Sequence, residues 1–255
     1  MTRLGQGLFL LVLVVRSALG AEPEHLGVTA GVSRDSYMIS STFTGTEIVV
    51  FGGIEAAQGG VLASREGIDV AVVVFGPEQH VTVRRKERVA GLWINRTAER
   101  FERMLAYYYA AATADIATLA PPDVLASRGV GLDGMLKPVR AAAEPFRDAI
   151  VRRKQADLLY VEKPGGVTFL SSSVFRATIP LPAQVPVGDY TIKVFAFKNG
   201  QLAGGTSVPF AIDKEGIERW TYELATKRAW AYAALSVLGA LLAGWVAYIA
   251  FRERH

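Results

Sequence analysis

The sequence contains no cysteine and only three histidines, His25, His80 and His255. The first absence excludes disulfides, thiolate metal sites, a cysteine nucleophile and a lipid-modified cysteine. The second excludes a His-rich metal centre, because no two of the three stand at ligand spacing. Basic residues are not massed on one face as a nucleic-acid footprint requires, so nucleic acid is not an expected partner. Ser171-Ser172-Ser173 lacks the Gly-x-Ser-x-Gly setting of a hydrolase nucleophile.

Glycine is abundant, yet it is not arranged for phosphate. The stretch FTGTEIVVFGG, Phe43 to Gly53, opens as a phosphate-cradling strand and loop can. The next residues, IEAAQGGVLAS, bring no lysine, no Gly-Lys-Ser/Thr step and no Rossmann spacing. A short strand, Glu47–Phe51, closed by Gly52-Gly53 is the expectation. No catalytic residue, cofactor, nucleotide or metal ligand is expected, and the chain does not read as an enzyme.

What is present is 255 residues, 51% hydrophobic, with a formal net charge of +4. That is enough for one core or two small ones, and the charge is a weak pointer to anionic partners. The ends carry the clearest signals. Arg3, an apolar run over Leu8–Val15 and small residues at Ala18 and Gly20 form a secretory signal pattern over residues 1–20. Arg16 just after the apolar run leaves an uncleaved anchor as the alternative. Trp230 to Phe251 contains no charged residue. At ~1.5 Å per residue it spans the ~30 Å hydrocarbon core of a bilayer. Lys227-Arg228 and Arg252/Arg254 flank it evenly, so charge alone does not orient it. With an exported or anchored N-terminus, the body lies outside and the C-terminal tail is cytoplasmic in either case.

Between the ends, Val70–Phe75 reads as a strand buried on both faces. His80–Arg84 alternates, with Val81 and Val83 on one face. Strands at intervals of about ten residues argue for an antiparallel sandwich. The segment 99–120 stays open between helix and strand, because alanines favour one and Tyr107-Tyr108-Tyr109 the other. Pro145 opens an amphipathic helix with Phe146, Ala149, Ile150 and Arg153 on one stripe. VFRATIP reads as a strand stopped by Pro180 and Pro182. Asn199-Gly200 predicts a type I′ hairpin turn, with Phe195 and Phe197 on a face that the 145–155 helix would cover.

The predicted organisation is a signal peptide (1–20), an N-terminal β-sandwich region (21–118), a helical and loop region (119–157) and a C-terminal β region with a hairpin (158–213). A juxtamembrane helix (214–229), a transmembrane helix (230–251) and a cytoplasmic tail (252–255) complete the chain. The fold class is mainly β with helical segments, immunoglobulin-like, plus one C-terminal transmembrane helix.

Two clusters invite a function. Arg84, Arg85, Lys86 and Arg88 would contact anionic head groups or small oxyanions; charge on a sheet edge also blocks edge-to-edge aggregation. On the apolar helix, Ser236, Ala240 and Gly244 form one small-residue ridge, and Gly239, Ala243 and Ala247 the next. Such ridges let helices approach closely, so a membrane permease or a second copy is an expected partner beside the lipid bilayer.

FTGTEIVVFG, DVAVVVFGPEQHVTVRRKERVAGLWINR, FRDAIVRRKQADLLY, VFRATIPLPAQVPVGDYTIKVFAFKNGQL and the apolar helix together cover nearly all of the mature chain. As a set they resemble the alphaproteobacterial single-pass transmembrane family of unknown function (Alph_Pro_TM). The resemblance implies a protein anchored in the bacterial inner membrane with its bulk in the periplasm. It implies no activity. It points to an accessory role beside a sulfite-exporter-type permease. A periplasmic module that binds or senses small anions is the alternative.

Overall fold

The computed structural model describes residues 25–40, 42–56, 60, 64–89, 91–136, 138–214, 225–227 and 229–252. The signal segment 1–20, most of the juxtamembrane segment 214–229 and tail residues 253–255 lie outside them. The chain is mainly β, with a few helices and one apolar C-terminal helix.

Two sheets share one hydrophobic core. The first orders β1 (Gly27–Val32), β3 (Gly45–Glu55), β10 (Val174–Pro182) and β9 (Val167–Phe169) side by side. The second orders β2 (Ser36–Ile39), β12 (Gln201–Lys214), β11 (Gly188–Lys198), β4 (Ile68–Phe75), β7 (Tyr108–Ala112) and β8 (Tyr160–Lys163). Each sheet combines early and late strands, so the two β regions of the sequence build one body. Ile48, Val50 and Phe175 from one sheet meet Val72, Val74, Tyr190 and Ile192 from the other in the same buried cluster.

The central strand β4 is buried along nearly its whole length, as its unbroken apolar run predicts. Antiparallel pairing does not hold throughout. β2 pairs with β12 in parallel, and β7 with β8. The first arises because β2 leaves the sheet of β1 and joins the opposite one. The second arises because β7 returns to β8 only after a helical excursion, and parallel neighbours need such a crossover. That excursion holds α1 (Pro122–Arg128), α2 (Leu132–Met135) and α3 (Glu144–Ala156).

Two further expectations are corrected. β3 does not end at Gly52-Gly53; it runs to Glu55. A Cβ on Gly52 would collide with the Phe175 ring and the Thr29 carbonyl, so this glycine admits a neighbouring ring rather than making a turn. β10 does not stop at Pro180; it continues to Pro182. Its neighbour β9 reaches only as far as Ala177, so the outer side of 178–182 is an open edge where a missing N–H costs nothing. Tyrosines cap that edge. Tyr109 Oη donates to Thr178 O at 3.3 Å and Tyr107 Oη to Pro180 O at 2.7 Å.

The 99–120 ambiguity resolves into the end of β6, then β7, then a 3-10 turn at Ile116–Thr118. Tyr107, Tyr108 and Tyr109 are fully buried, and burial of that aromatic area outweighs alanine's helix preference here. The Asn199-Gly200 turn is as predicted, with φ of 50° and 79°, the left-handed pair that type I′ demands. Helix α3 packs chiefly on β8 and on a separate hairpin, β5 (Glu78–Val89) with β6 (Leu92–Leu105), rather than over Phe195 and Phe197.

Candidate functional site

The β5–β6 hairpin stands apart from both sheets as a two-stranded ribbon. Its base is anchored. Phe101 is buried with Ala143 and Ile150, and Val81, Val83, Met104 and Phe146 close around them. The stripe that α3 shows in sequence is therefore spent on covering the apolar side of this ribbon. Arg140 Nη2 donates to Glu99 Oε1 at 2.6 Å along the same side. Lys154 fixes the inner end, its buried Nζ donating to Ala106 O at 2.8 Å. Burial pulls the Lys154 ammonium below the usual lysine range, with Asp157 opposing.

Beyond residue 83 the ribbon has little to lean on. Every described residue from Arg84 to Ala98 is exposed except Glu87, which is half-buried. At ~3.3 Å per residue, Arg84 to Val89 projects roughly 20 Å. Side chains alternate across it. Arg84, Lys86 and Arg88 fall on one face, together with Trp93, which pairs with Arg88. Arg85 falls on the other, with Glu87, Ile94 and the Val89–Leu92 pair. The structure thus keeps three of the four sequence-predicted cations together and separates Arg85. None of the four forms an ion pair with another described residue. Arg84 lines a groove of about 440 Å³ between the ribbon and α3, with Arg153, Lys154 and Asp157; Arg85 and Lys86 do not.

The turn holds what a search for charge passes over. Leu92 is 70% exposed and Trp93 68%, beside exposed Val89 and Ile94. Gly91 between them has φ of 86°, which suits glycine. The signal was the run GLWI set directly into basic residues, a placement that strand periodicity alone does not separate from ordinary alternation.

Among the described residues no three His, Asp or Glu side chains gather as a metal site would need. The strongly shifted groups are tyrosines. Burial pushes Tyr109 up to about 12, and drives Tyr107, Tyr108, Tyr160 and Tyr190 well above the ordinary phenol value. Each hydroxyl is committed to a backbone carbonyl: Tyr108 to Gly129, Tyr160 to Leu105, Tyr190 to Pro186, and Tyr107 and Tyr109 to the β10 edge. They are packing groups with a satisfied polar end.

The last element, α4 (Ala229–Arg252), is one unbroken helix, long and apolar enough to cross a membrane. At ~1.5 Å per residue it extends past the ~30 Å hydrocarbon thickness. Ser236, Ala240 and Gly244 lie four apart along one ridge, and Gly239, Ala243 and Ala247 along the next. All six are exposed, and a Cβ on either glycine would meet nothing within 4 Å. Ser236 Oγ donates to Tyr232 O at 2.9 Å, so its hydroxyl is satisfied inside the helix.

Comparison with known proteins agrees with this arrangement in one respect. No curated protein matches the chain. Among solved structures, the native conformation of E. coli alpha-2-macroglobulin aligns with 76% of this chain at 12% identity and a TM-score of 0.27. The chain spans only 10% of that protein, and so weak a likeness carries no argument. The family described as "Putative transmembrane protein (Alph_Pro_TM)" matches residues 27–253, from the first strand to the end of the apolar helix. The chain belongs to this transmembrane family, and its one membrane-length apolar helix among the described residues fits a single-pass membrane protein.

Proposed function

We propose that the protein is a non-enzymatic, membrane-tethered accessory protein. Its immunoglobulin-like body would be held in the periplasm by α4, with the C-terminus in the cytoplasm. The carrying observation is the contrast in how side chains are used. Buried polar groups in the body are committed to structural hydrogen bonds, and its exposed large apolar side chains, such as Phe51, Leu158 and Leu170, are scattered, whereas on the ribbon tip and α4 they are contiguous.

The immunoglobulin-like reading is supported by strand order. β1-β3-β10-β9 follows the A-B-E-D sheet of that fold, and β12-β11-β4 follows G-F-C. The Tyr190 hydroxyl bonds the carbonyl of Pro186 four residues upstream, at the corner between β10 and β11. That is the position and contact of the tyrosine corner. The periplasmic placement rests on the signal pattern of residues 1–20.

The partner on the membrane side would be a permease of sulfite-exporter type or a second copy, met through the small-residue ridges of α4. Pull-down of the full chain in mild detergent, followed by mass spectrometry, tests this. A permease that co-purifies with the wild-type chain and is lost with Gly244→Ile supports the reading. Capture of no membrane protein, or capture indifferent to Gly244→Ile, contradicts it. One observation favours a second reading, a binding module for small anions: Arg84 and Arg153 line the same groove. Heat on titrating the protein with sulfite or sulfate at low salt, absent in Arg84→Ala, would favour that reading over the first.

A further inference from the structure

We propose that the tip of the β5–β6 ribbon is a docking site for an anionic lipid surface. The inference stands apart from the identity of any partner of α4. It begins with apolar area that the fold does not use. The aromatic rings of the two-sheet core are buried, while Trp93, Leu92, Ile94 and Val89 are gathered in the open around a two-stranded turn. A water-facing ribbon gains nothing from that composition, since exposed apolar clusters mark contact sites.

Charge then selects the occupant. From Arg84 to Arg96 the chain carries five cations and one carboxylate. The carboxylate, Glu87, is already engaged by the Thr97 hydroxyl at 3.2 Å and by Arg96 at 3.9 Å. Depth matches as well. Arg88 pairs with Trp93 just behind the apolar turn, and Lys86 and Arg84 come next on the same face at intervals of roughly 7 Å. An apolar end with tryptophan behind it and cations behind that reproduces the order of a lipid leaflet: acyl chains, interface, anionic head groups. A second copy of the tip is a poor occupant, because it would set five cations against five. The surface need be no more than that of the bilayer which α4 itself implies.

The absence of cysteine makes the test direct. Leu92→Cys carries one environment-sensitive dye on the full chain, reconstituted in vesicles of phosphatidylcholine with or without phosphatidylglycerol. Ser207→Cys, exposed on β12, is the control for mere tethering. The expected result is quenching of the Leu92→Cys dye by shallow lipid-attached quenchers in phosphatidylglycerol vesicles, several-fold less in phosphatidylcholine alone, and none for Ser207→Cys. Lys86→Glu with Arg88→Glu should weaken vesicle docking by roughly thirtyfold or more, given the contribution of each basic residue at an anionic surface. Both positions are exposed, so an unchanged thermal melt would show the double variant to be folded. Quenching equal in the two lipids would overturn the role given to charge. A Leu92→Cys dye no more quenched than the Ser207→Cys dye would overturn the proposal and leave the tip to an acidic protein partner.

Discussion

The two-sheet body and the β5–β6 ribbon are built from the same kind of sequence and end in opposite states. Both alternate apolar and polar residues, and both carry aromatics. In the body, β10 alternates against a second sheet, so Phe175, Ala177, Ile179 and Leu181 all go inside. In the ribbon the same alternation finds a cover only at the base, where α3 supplies Ile150 and Phe146. Past that point there is no second layer, and Trp93 stays in solvent. Alternation states which side chains share a face; whether that face is buried depends on what packs over it. A two-stranded ribbon with one covered end is stable at that end only. The body therefore carries the stability, and the ribbon tip is left for contact.

The sharpest way to break this contrast is to truncate a buried ring and an exposed one. Tyr107→Ala should cost about 3–5 kcal/mol, as large-to-small changes at fully buried aromatics do. Trp93→Ala should shift stability by no more than ~0.5 kcal/mol. Thermal or denaturant melts of the full chain in mild detergent compare them, and similar losses would erase the distinction. Next in size is Tyr107→Phe, which keeps the ring but leaves the Pro180 carbonyl without its 2.7 Å donor. A loss of about 0.5–1.5 kcal/mol is expected, the worth of one hydrogen bond at a part-buried edge.

Alkaline pH sharpens the same point without mutation. Five body tyrosines have folded-state pKa values raised by burial from the ordinary value of 10.0. The folded state holds protons that the unfolded state releases, so their stabilising share is intact below about pH 10 and lost as pH climbs through the raised values. Lys154 has the opposite sign. Its folded pKa is lowered, so its penalty fades as pH rises toward the unfolded value of 10.5. Five groups against one predict a net fall in the denaturant midpoint above about pH 10. A flat midpoint there would mean that the tyrosines are not buried as described. The most local effect belongs to Ile150→Ala, which removes the pillar under the ribbon. Hydrogen exchange should rise across Val81–Met104 while β4 and β11 stay protected.

Much of the body is legible in the sequence. The β4 run, the Asn199-Gly200 turn, the α3 stripe and the apolar helix each come from one local rule. The misreadings fall where a distant neighbour decides. Gly52 reads as a turn until the Phe175 ring is seen resting on it. Pro180 reads as a stop until β9 is seen to end short of it. Tyr107-Tyr108-Tyr109 reads two ways until β10 of the first sheet is seen to meet Tyr107 and Tyr109, and the end of α1 to meet Tyr108. The parallel pairs β2–β12 and β7–β8 depend on where the chain crosses over, which no local window contains. At the candidate surface, the basic cluster is visible as composition, whereas its division between two faces comes only with the pairing register. The exposed Leu92–Trp93 tip is hidden because an uncovered strand end and a buried one carry the same letters.

Hydrogen exchange of the wild-type full chain in neutral detergent tests the division between body and ribbon most directly. Amides of β4 and β11 should exchange only through global unfolding, while those between Arg84 and Thr97 exchange by local opening orders of magnitude faster. Protection of the ribbon tip equal to that of β4 would contradict it.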